Sequence, residues 1–267
     1  MLEIKSVYKT FNPGTVNEKR ALNGIDLTLN EGDFVTVIGG NGAGKSTMLN
    51  MIAGVYPVDN GKIMIDGQDV TKLPEFKRAK FLGRVFQDPM NGTAADMQIL
   101  ENLALASRRG KFRTLAPGVS KKEKAGYIDL LKSLDLGLET RLTSKVGLLS
   151  GGQRQAITLL MATLKKPKLL LLDEHTAALD PKTAHKVLEL TTQIVEKDNL
   201  TTIMITHNMK DALAIGNRLI MMNEGKIIYD VSGEEKKKLT TADLLEKFKI
   251  TSGSELDNDR MLLSSDE

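Results

Sequence analysis

The sequence predicts an α/β fold around a buried parallel sheet, and three stretches carry that reading. A glycine-rich loop, Gly39 to Thr47, stands between an apolar β-rich run, Phe34 to Ile38, and a helical run beginning at Ser46. The leucine run Leu169 to Leu172 has the unbroken apolarity of a strand covered on both faces, and it ends in Asp173 and Glu174. Another apolar run, Thr201 to Thr206, delivers His207. In open α/β sheets ligands bind at the carboxyl ends of the strands, so all three stretches aim chemistry at one edge.

Composition bounds what that edge can do. The 267 residues suffice for one α/β domain with an insertion, or for two small domains. The absence of cysteine excludes disulfides, zinc–thiolate sites and thiol catalysis, and suits a cytosolic chain. Aromatic residues make up 4% with no tryptophan, which argues against base-stacking platforms for nucleic acid. A net charge of +3 is too small to call for a polyanion partner but is compatible with a peripheral contact at an anionic membrane. The first residues alternate like a strand and carry no secretory-signal pattern, and no window approaches the roughly 20 apolar residues of a membrane span. If the protein serves a membrane event, other chains cross the bilayer.

Taken in order, Leu2 to Val7 and Ala21 to Leu29 alternate as strands about a turn at Asn12-Pro13-Gly14. Phe11 closes the first of them; as a lone ring it reads first as core and second as a stacking surface. A helix runs from Ser46 to Ala53 and breaks at Gly54, and a hairpin follows, Lys62 to Asp66 and Gln68 to Val70 about Gly67. The strand Phe81 to Phe86 delivers Gln87. From Asp88 to about Leu148 the chain turns helical, with i, i+3, i+4 apolar spacing in Glu101 to Ala106 and Lys121 to Leu136. The basic cluster of Arg108, Arg109, Lys111 and Arg113 reads as a solvated loop face. Leu149-Ser150-Gly151-Gly152-Gln153 opens a helix from Arg154 to Lys166, stopped by Pro167. A further helix, Lys182 to Glu196, follows Asp180-Pro181, and Met209 to Gly216 is also helical. His185 faces solvent on its amphipathic helix. A closing hairpin turns about Asn223-Glu224-Gly225-Lys226; after Ser232 come one short helix, Thr241 to Ile250, and a mobile polar tail, Thr251 to Glu267.

The chemistry follows from residue types at these spacings. G-x-x-x-x-G-K-S between a strand and a helix curls backbone N–H groups around a phosphate, and the helix N-terminus adds its partial positive charge. Lys45 sits where it can neutralise β- and γ-phosphates, and the Ser46 hydroxyl suits Mg²⁺. Asp173 would hold that cation and Glu174 would polarise an attacking water. Ser150 reads as a helix N-cap, and the adjacent Gly151 and Gly152 leave backbone N–H groups open to a second anion, without a lysine. His175 directly follows Glu174, and its place, behind the carboxylate or away from it, stays open.

These residues together resemble the ATP-binding cassette (ABC) ATPases over residues 1–230. The matching features are the Walker A loop Gly39–Thr47, the Q-loop residue Gln87, the signature Leu149–Gln153, the Walker B strand with Asp173 and Glu174, the D-loop Ala178-Leu179-Asp180 and the switch residue His207. The signature is the most specific of them. Phe11 falls at the family's adenine-stacking position, which turns the reading of that ring. The family pattern often has proline after the catalytic glutamate, where this chain has His175.

The resemblance implies a P-loop NTPase (RecA-like) core with an N-terminal antiparallel β subdomain and an α-helical subdomain inserted at about 88–150. Residues 231–267 follow as a C-terminal helix and tail. ATP and Mg²⁺ are the implied ligands. Glu174, His207, Gln87 and Lys45 are the implied catalytic set, and Ser46, Gln87 and Asp173 the metal set. Nucleotide contacts fall to Phe11, Gly39, Asn41, Gly42, Ala43, Gly44, Lys45, Ser46 and Thr47, and to Ser150, Gly151, Gly152, Gln153 and Asp180. The last group implies a head-to-tail homodimer in which the signature of one subunit closes on the phosphates held by the other.

A permease in the membrane, an extracytoplasmic substrate-binding protein and a place at the cytoplasmic face of the membrane complete the expectation; no nucleic acid enters it. The segments Phe11–Glu18, Gly83–Pro89 and Asp173–Pro181 look like a bacterial importer subgroup, some of whose members are assigned to tryptophan or tyrosine uptake. The alternatives are a soluble ABC ATPase of iron–sulfur cluster assembly and the ATPase of an exporter.

Overall fold

The computed structural model of the chain describes residues 1–110 and 118–252, so Lys111 and Arg113 of the basic cluster and the tail from residue 253 lie outside the described residues. The chain opens with β1 (Leu2–Phe11), β2 (Lys19–Leu29) and β3 (Phe34–Ile38), followed by α1 (Lys45–Ala53). Next come β4 (Asn60–Ile65), β5 (Gln68–Asp69), α2 (Glu75–Arg78), β6 (Leu82–Val85), α3 (Ile99–Ser107) and α4 (Lys121–Lys132). The second half holds α5 (Gly151–Thr163), β7 (Leu169–Asp173), α6 (Pro181–Asp198), β8 (Thr201–Ile205) and α7 (Met209–Ala214). It closes with β9 (Arg218–Asn223), β10 (Lys226–Ser232), α8 (Gly233–Lys238) and α9 (Thr241–Ser252).

Two sheets result. A four-stranded antiparallel sheet runs β2-β1-β4-β5, and a six-stranded sheet runs β10-β9-β3-β8-β7-β6, parallel from β9 through β6. The leucines of β7 are buried on both faces in strict alternation. Leu169 and Leu171 join a core with Leu2, Leu49 and Ile203, between the sheets and α1. Leu170 and Leu172 join a second core with Leu103, Leu131 and Ile157, on the side of α3, α4 and α5. Each such side chain is worth about 2 kcal/mol over exposure, so one strand fastens two layers. A third, smaller core gathers Ile38, Met209, Leu219, Leu244 and Phe248 beneath α7 and α9.

The structure departs from the sequence reading in several places. β1 is longer than its alternation suggests, because Ser6 takes a left-handed conformation (φ 45°) and the pairing shifts register there. α4 stops at Lys132 rather than Leu136, and Asp135 beyond it is left-handed (φ 51°). α5 begins at Gly151, three residues before the predicted start, because Ser150 is its cap. α8 was missed; its run of charges hides a buried contact, the Lys236 ammonium donating to the carbonyls of Ile215 and Gly216 behind α7. The solvated reading fails for Arg109, whose guanidinium donates to Ala162 O at 3.3 Å and is buried enough to depress its pKa. Arg108 pairs with Glu123 at 3.2 Å. His185 is exposed as expected, 3.2 Å from Glu189.

Arg78 is buried, at 1% exposure. It donates to Met51 O (2.6 Å) and Ile52 O (3.0 Å) at the C-terminal end of α1, where Met51 O also accepts from the Gly54 cap N–H. It also donates to Leu73 O (2.8 Å) and Thr71 O (3.0 Å), binding α2 and its preceding loop to the end of the phosphate-loop helix. Arg78→Met should therefore cost about 2–4 kcal/mol, because buried carbonyls lose their donor. Urea unfolding should show this as a lower midpoint with an unchanged slope.

Candidate active site

Parallel register builds the site. Val37 pairs with Ile205, and Ile205 with Asp173, so β3, β8 and β7 end together. The loop after β3 turns into α1 through Gly44 at φ 100°, where a Cβ would lie 2.6 Å from Ala21 O; any other residue would push the loop off β2. Lys45, the first residue of α1, is 5% exposed. Its Nζ donates to Gly39 O at 2.7 Å and Gly40 O at 3.0 Å. Burial lowers the Lys45 pKa, and the carboxylates of Glu174 and Asp173 oppose that shift.

At the end of β7, Asp173 Oδ1 accepts from the Ser46 hydroxyl at 3.3 Å, and its other oxygen lies 3.9 Å from the Arg84 guanidinium. Burial raises the Asp173 carboxyl, and Arg84 is the main influence against that rise. Glu174, at φ 46°, is held by its backbone N–H to Ile205 O at 3.1 Å. Its Oε1 stands 2.6 Å from His207 Nε2, which donates to it. Burial would raise the Glu174 pKa, but His207, by hydrogen bond and charge, and Lys45 outweigh it and hold the carboxyl below its ordinary value.

A cavity of about 300 Å³ extends from Phe11 and Lys19 across the loop Asn41–Thr47 to Glu174. Phe11 is outside the core; it is half-buried, edge-on to Tyr56 with centroids 5.2 Å apart, and free to line this cavity. A neighbouring cavity of about 430 Å³ brings Gln87 and Phe86 to Asp173. Ser46 Oγ and the Asp173 carboxylate, with Gln87 opening on the same space, are hard oxygen donors of the kind Mg²⁺ takes. Among the described residues no group of three or more His, Cys, Asp or Glu comes together as a metal cage.

Not every expected residue reaches the cradle. Ser150, Gly151, Gly152, Gln153 and Asp180 lie outside its lining, at the heads of α5 and α6. Ser150 and Gln153 form a reciprocal cap, Ser150 Oγ accepting from Gln153 N and Gln153 Oε1 from Ser150 N, both at 3.3 Å. Gln153 Nε2 also reaches Leu136 O at 3.4 Å. Asp180 caps α6 by accepting from Thr183 N at 3.1 Å. Gly152 has a packing reason as well, since a Cβ there would lie 2.0 Å from Thr183 Cγ2. His175 points into the protein, 2% exposed and 3.0 Å from Thr191 Oγ1, and burial pushes its pKa down to about 4.

Sequence reading missed Arg84 and Lys19. Arg84 donates to Asn50 Oδ1 at 2.7 Å and stacks over Phe86 at 4.4 Å. The signal was available: a charge inside the apolar strand Phe81–Phe86 needs a partner. Lys19 left none, because it pairs with Phe11 only through the register of β1 and β2.

A glycine loop, a helix start carrying lysine and serine, and an Asp-Glu strand end facing histidine define a phosphate-loop nucleoside triphosphatase. The family described as ABC transporter matches residues 22–177. A tyrosine transport ATP-binding protein of Clostridioides difficile (strain R20291) is 46% identical over 250 residues, covering 93% of this chain and 98% of that protein. The spermidine/putrescine import ATP-binding protein PotA of Haemophilus influenzae (strain ATCC 51907 / DSM 11121 / KW20 / Rd) is 33% identical over 235 residues, covering 88% of this chain. The chain spans 59% of that longer protein. Among solved structures, the dimeric cassette MJ0796 in a post-hydrolysis state bound to ADP and Pi is 31% identical, with a TM-score of 0.73 over 87% of this chain and 98% of that one. The chain belongs to the ATP-binding cassette family of ABC transporters and is an ATPase. Among the described residues no helix is long and apolar enough to cross a membrane.

The Gly152 contact is open to test. Gly152→Ala should destabilise the protein by about 1–3 kcal/mol through overpacking against Thr183, although alanine is the better helix former. Chemical denaturation of this variant with and without Thr183→Ser, which removes the offending methyl, should show the loss and its recovery.

Proposed function

We propose that this chain is the ATP-hydrolysing subunit of a bacterial importer for an aromatic amino acid, working as a homodimer on the cytoplasmic face of the membrane. The observation that carries the catalytic part is the 2.6 Å contact between His207 and Glu174 above Lys45. The relatives named for tyrosine transport and for spermidine/putrescine import support import over export or iron–sulfur cluster assembly. Residues 1–230 act as the ATPase unit. The helical segment at about 88–150 presents a groove to a permease helix, and an extracytoplasmic binding protein supplies the cargo.

In this reading adenine stacks on Phe11 and the phosphates lie in the loop Gly39–Thr47, through the N–H groups of residues such as Asn41, Gly42, Ala43 and Gly44. Lys45 exchanges its carbonyl partners Gly39 and Gly40 for β- and γ-phosphate oxygens. Mg²⁺, held by Ser46 and Asp173 with Gln87 beside them, would supply positive charge at the phosphate oxygens. Glu174 stays ionised at neutral pH and orients the attacking water with the oxygen that His207 leaves free. Ser150, Gly151, Gly152, Gln153 and Asp180 complete the site from the second subunit, and their position outside the chain's own cradle supports that division. Closure then joins hydrolysis to a conformational change.

Glu174→Gln should lower turnover by at least about a hundredfold while leaving ATP binding intact, and should accumulate an ATP-bound dimer on size exclusion. Wild-type turnover in that variant would remove Glu174 from its role. For the partners, purification of the tagged chain from membranes followed by mass spectrometry should recover a multi-span permease and a substrate-binding lipoprotein. Recovery of cluster-assembly proteins instead would favour the soluble reading.

A further inference from the structure

The departure at position 175 has a structural counterpart. Thr191 Oγ1 donates its single proton to Val187 O at 2.8 Å, so toward His175 at 3.0 Å it can only accept. The proton of that contact therefore sits on His175 Nε2. Thr191 lies on α6 about three turns beyond Asp180, the residue that caps the same helix. The segment between Glu174 and α6 is thus fastened to α6 twice, by the Asp180 cap at its far end and by the buried His175 at its near end. Between them the chain is wound tightly, with Ala177 N donating to Glu174 O at 3.0 Å and Leu179 N to Thr176 O at 3.1 Å.

Glu174 needs such support. Its left-handed backbone costs a non-glycine residue about 1 kcal/mol or more and persists only where both flanks hold it. On one side its N–H is bound to Ile205 O. On the other the next side chain is anchored in α6.

We propose that His175 is a positioning residue for Glu174: by donating to Thr191 it fixes the carboxylate against His207 and makes its placement depend on α6 and the D-loop at its head. This inference rests on the catalytic role given to Glu174 above. It extends that role to a buried side chain outside the lining of the nucleotide cavity.

The test uses the full-length chain and reads ATP turnover, the dissociation constant of a fluorescent ATP analogue and thermal midpoint together. His175→Leu keeps bulk and removes the donor; Thr191→Val keeps shape and removes the acceptor. Each should lower kcat roughly ten- to hundredfold while nucleotide affinity stays within about twofold, because the phosphate loop is untouched. His175→Gln, whose amide N–H reaches about as far as Nε2, and Thr191→Ser should each recover most of the turnover. The double variant His175→Leu/Thr191→Val should be no slower than either single one, as expected for two ends of one contact. A folded His175→Leu or Thr191→Val protein with near wild-type kcat overturns the proposal, as does a loss of affinity equal to the loss of turnover. Should His175→Leu fail to fold, Thr191→Val decides the matter. If Glu174→Gln turns over normally, the catalytic reading falls; if it stalls while Thr191→Val does not, only the positioning role falls.

Discussion

The parallel register of β3, β8 and β7 is the constraint on which the rest depends. Because these strands end level, Lys45, Asp173, Glu174 and His207 meet without any long loop to bring them together. A one-residue slip of β7 would reverse its faces, sending Leu169 and Leu171 into the wrong core and Asp173 away from Ser46. The slip would carry Lys168 or Asp173 into a fully buried leucine position, and burying that charge makes it costly. Catalytic geometry is thus enforced by the boundary between the buried leucines and the charges that flank them.

At the edge itself, charges hold one another in place. Lys45 is buried and would lose its proton more readily but for the two carboxylates it faces. Those carboxylates are unlike. Asp173 is raised by burial, with Arg84 opposing, whereas Glu174 is held low by His207. Adjacent acids in one strand end are therefore separated in proton affinity by their partners, one beside a hydroxyl suited to a cation and the other beside an imidazole.

Much of this was legible in the sequence, and the limits have physical causes. The loop at Gly39–Thr47, the buried strand Leu169–Leu172 and the cap at Ser150 are local signals in residue type and spacing, and they read correctly. Phe11 could not be resolved from its own residue type; only the resemblance placed it at the nucleotide, and the structure leaves it half-buried beside the cradle. Arg109 and Lys236 look like solvent-facing charges because sequence does not reveal which carbonyls a distant turn leaves unpaired. The same applies to Arg78, which answers the end of a helix about 26 residues earlier in the chain. Long-range satisfaction of backbone groups is the part that local pattern cannot carry.

The packing of Gly152 on Thr183 has a mechanical consequence. The head of α5, which bears the signature, and the head of α6, which bears Asp180, pack in close contact, with no room for a Cβ at Gly152 beside Thr183. In a head-to-tail pair, the face a subunit lends to its partner's phosphate and the helix behind its own glutamate would travel as one rigid lever. Coupling of that kind would tie what a subunit lends to its partner's site to the state of its own glutamate.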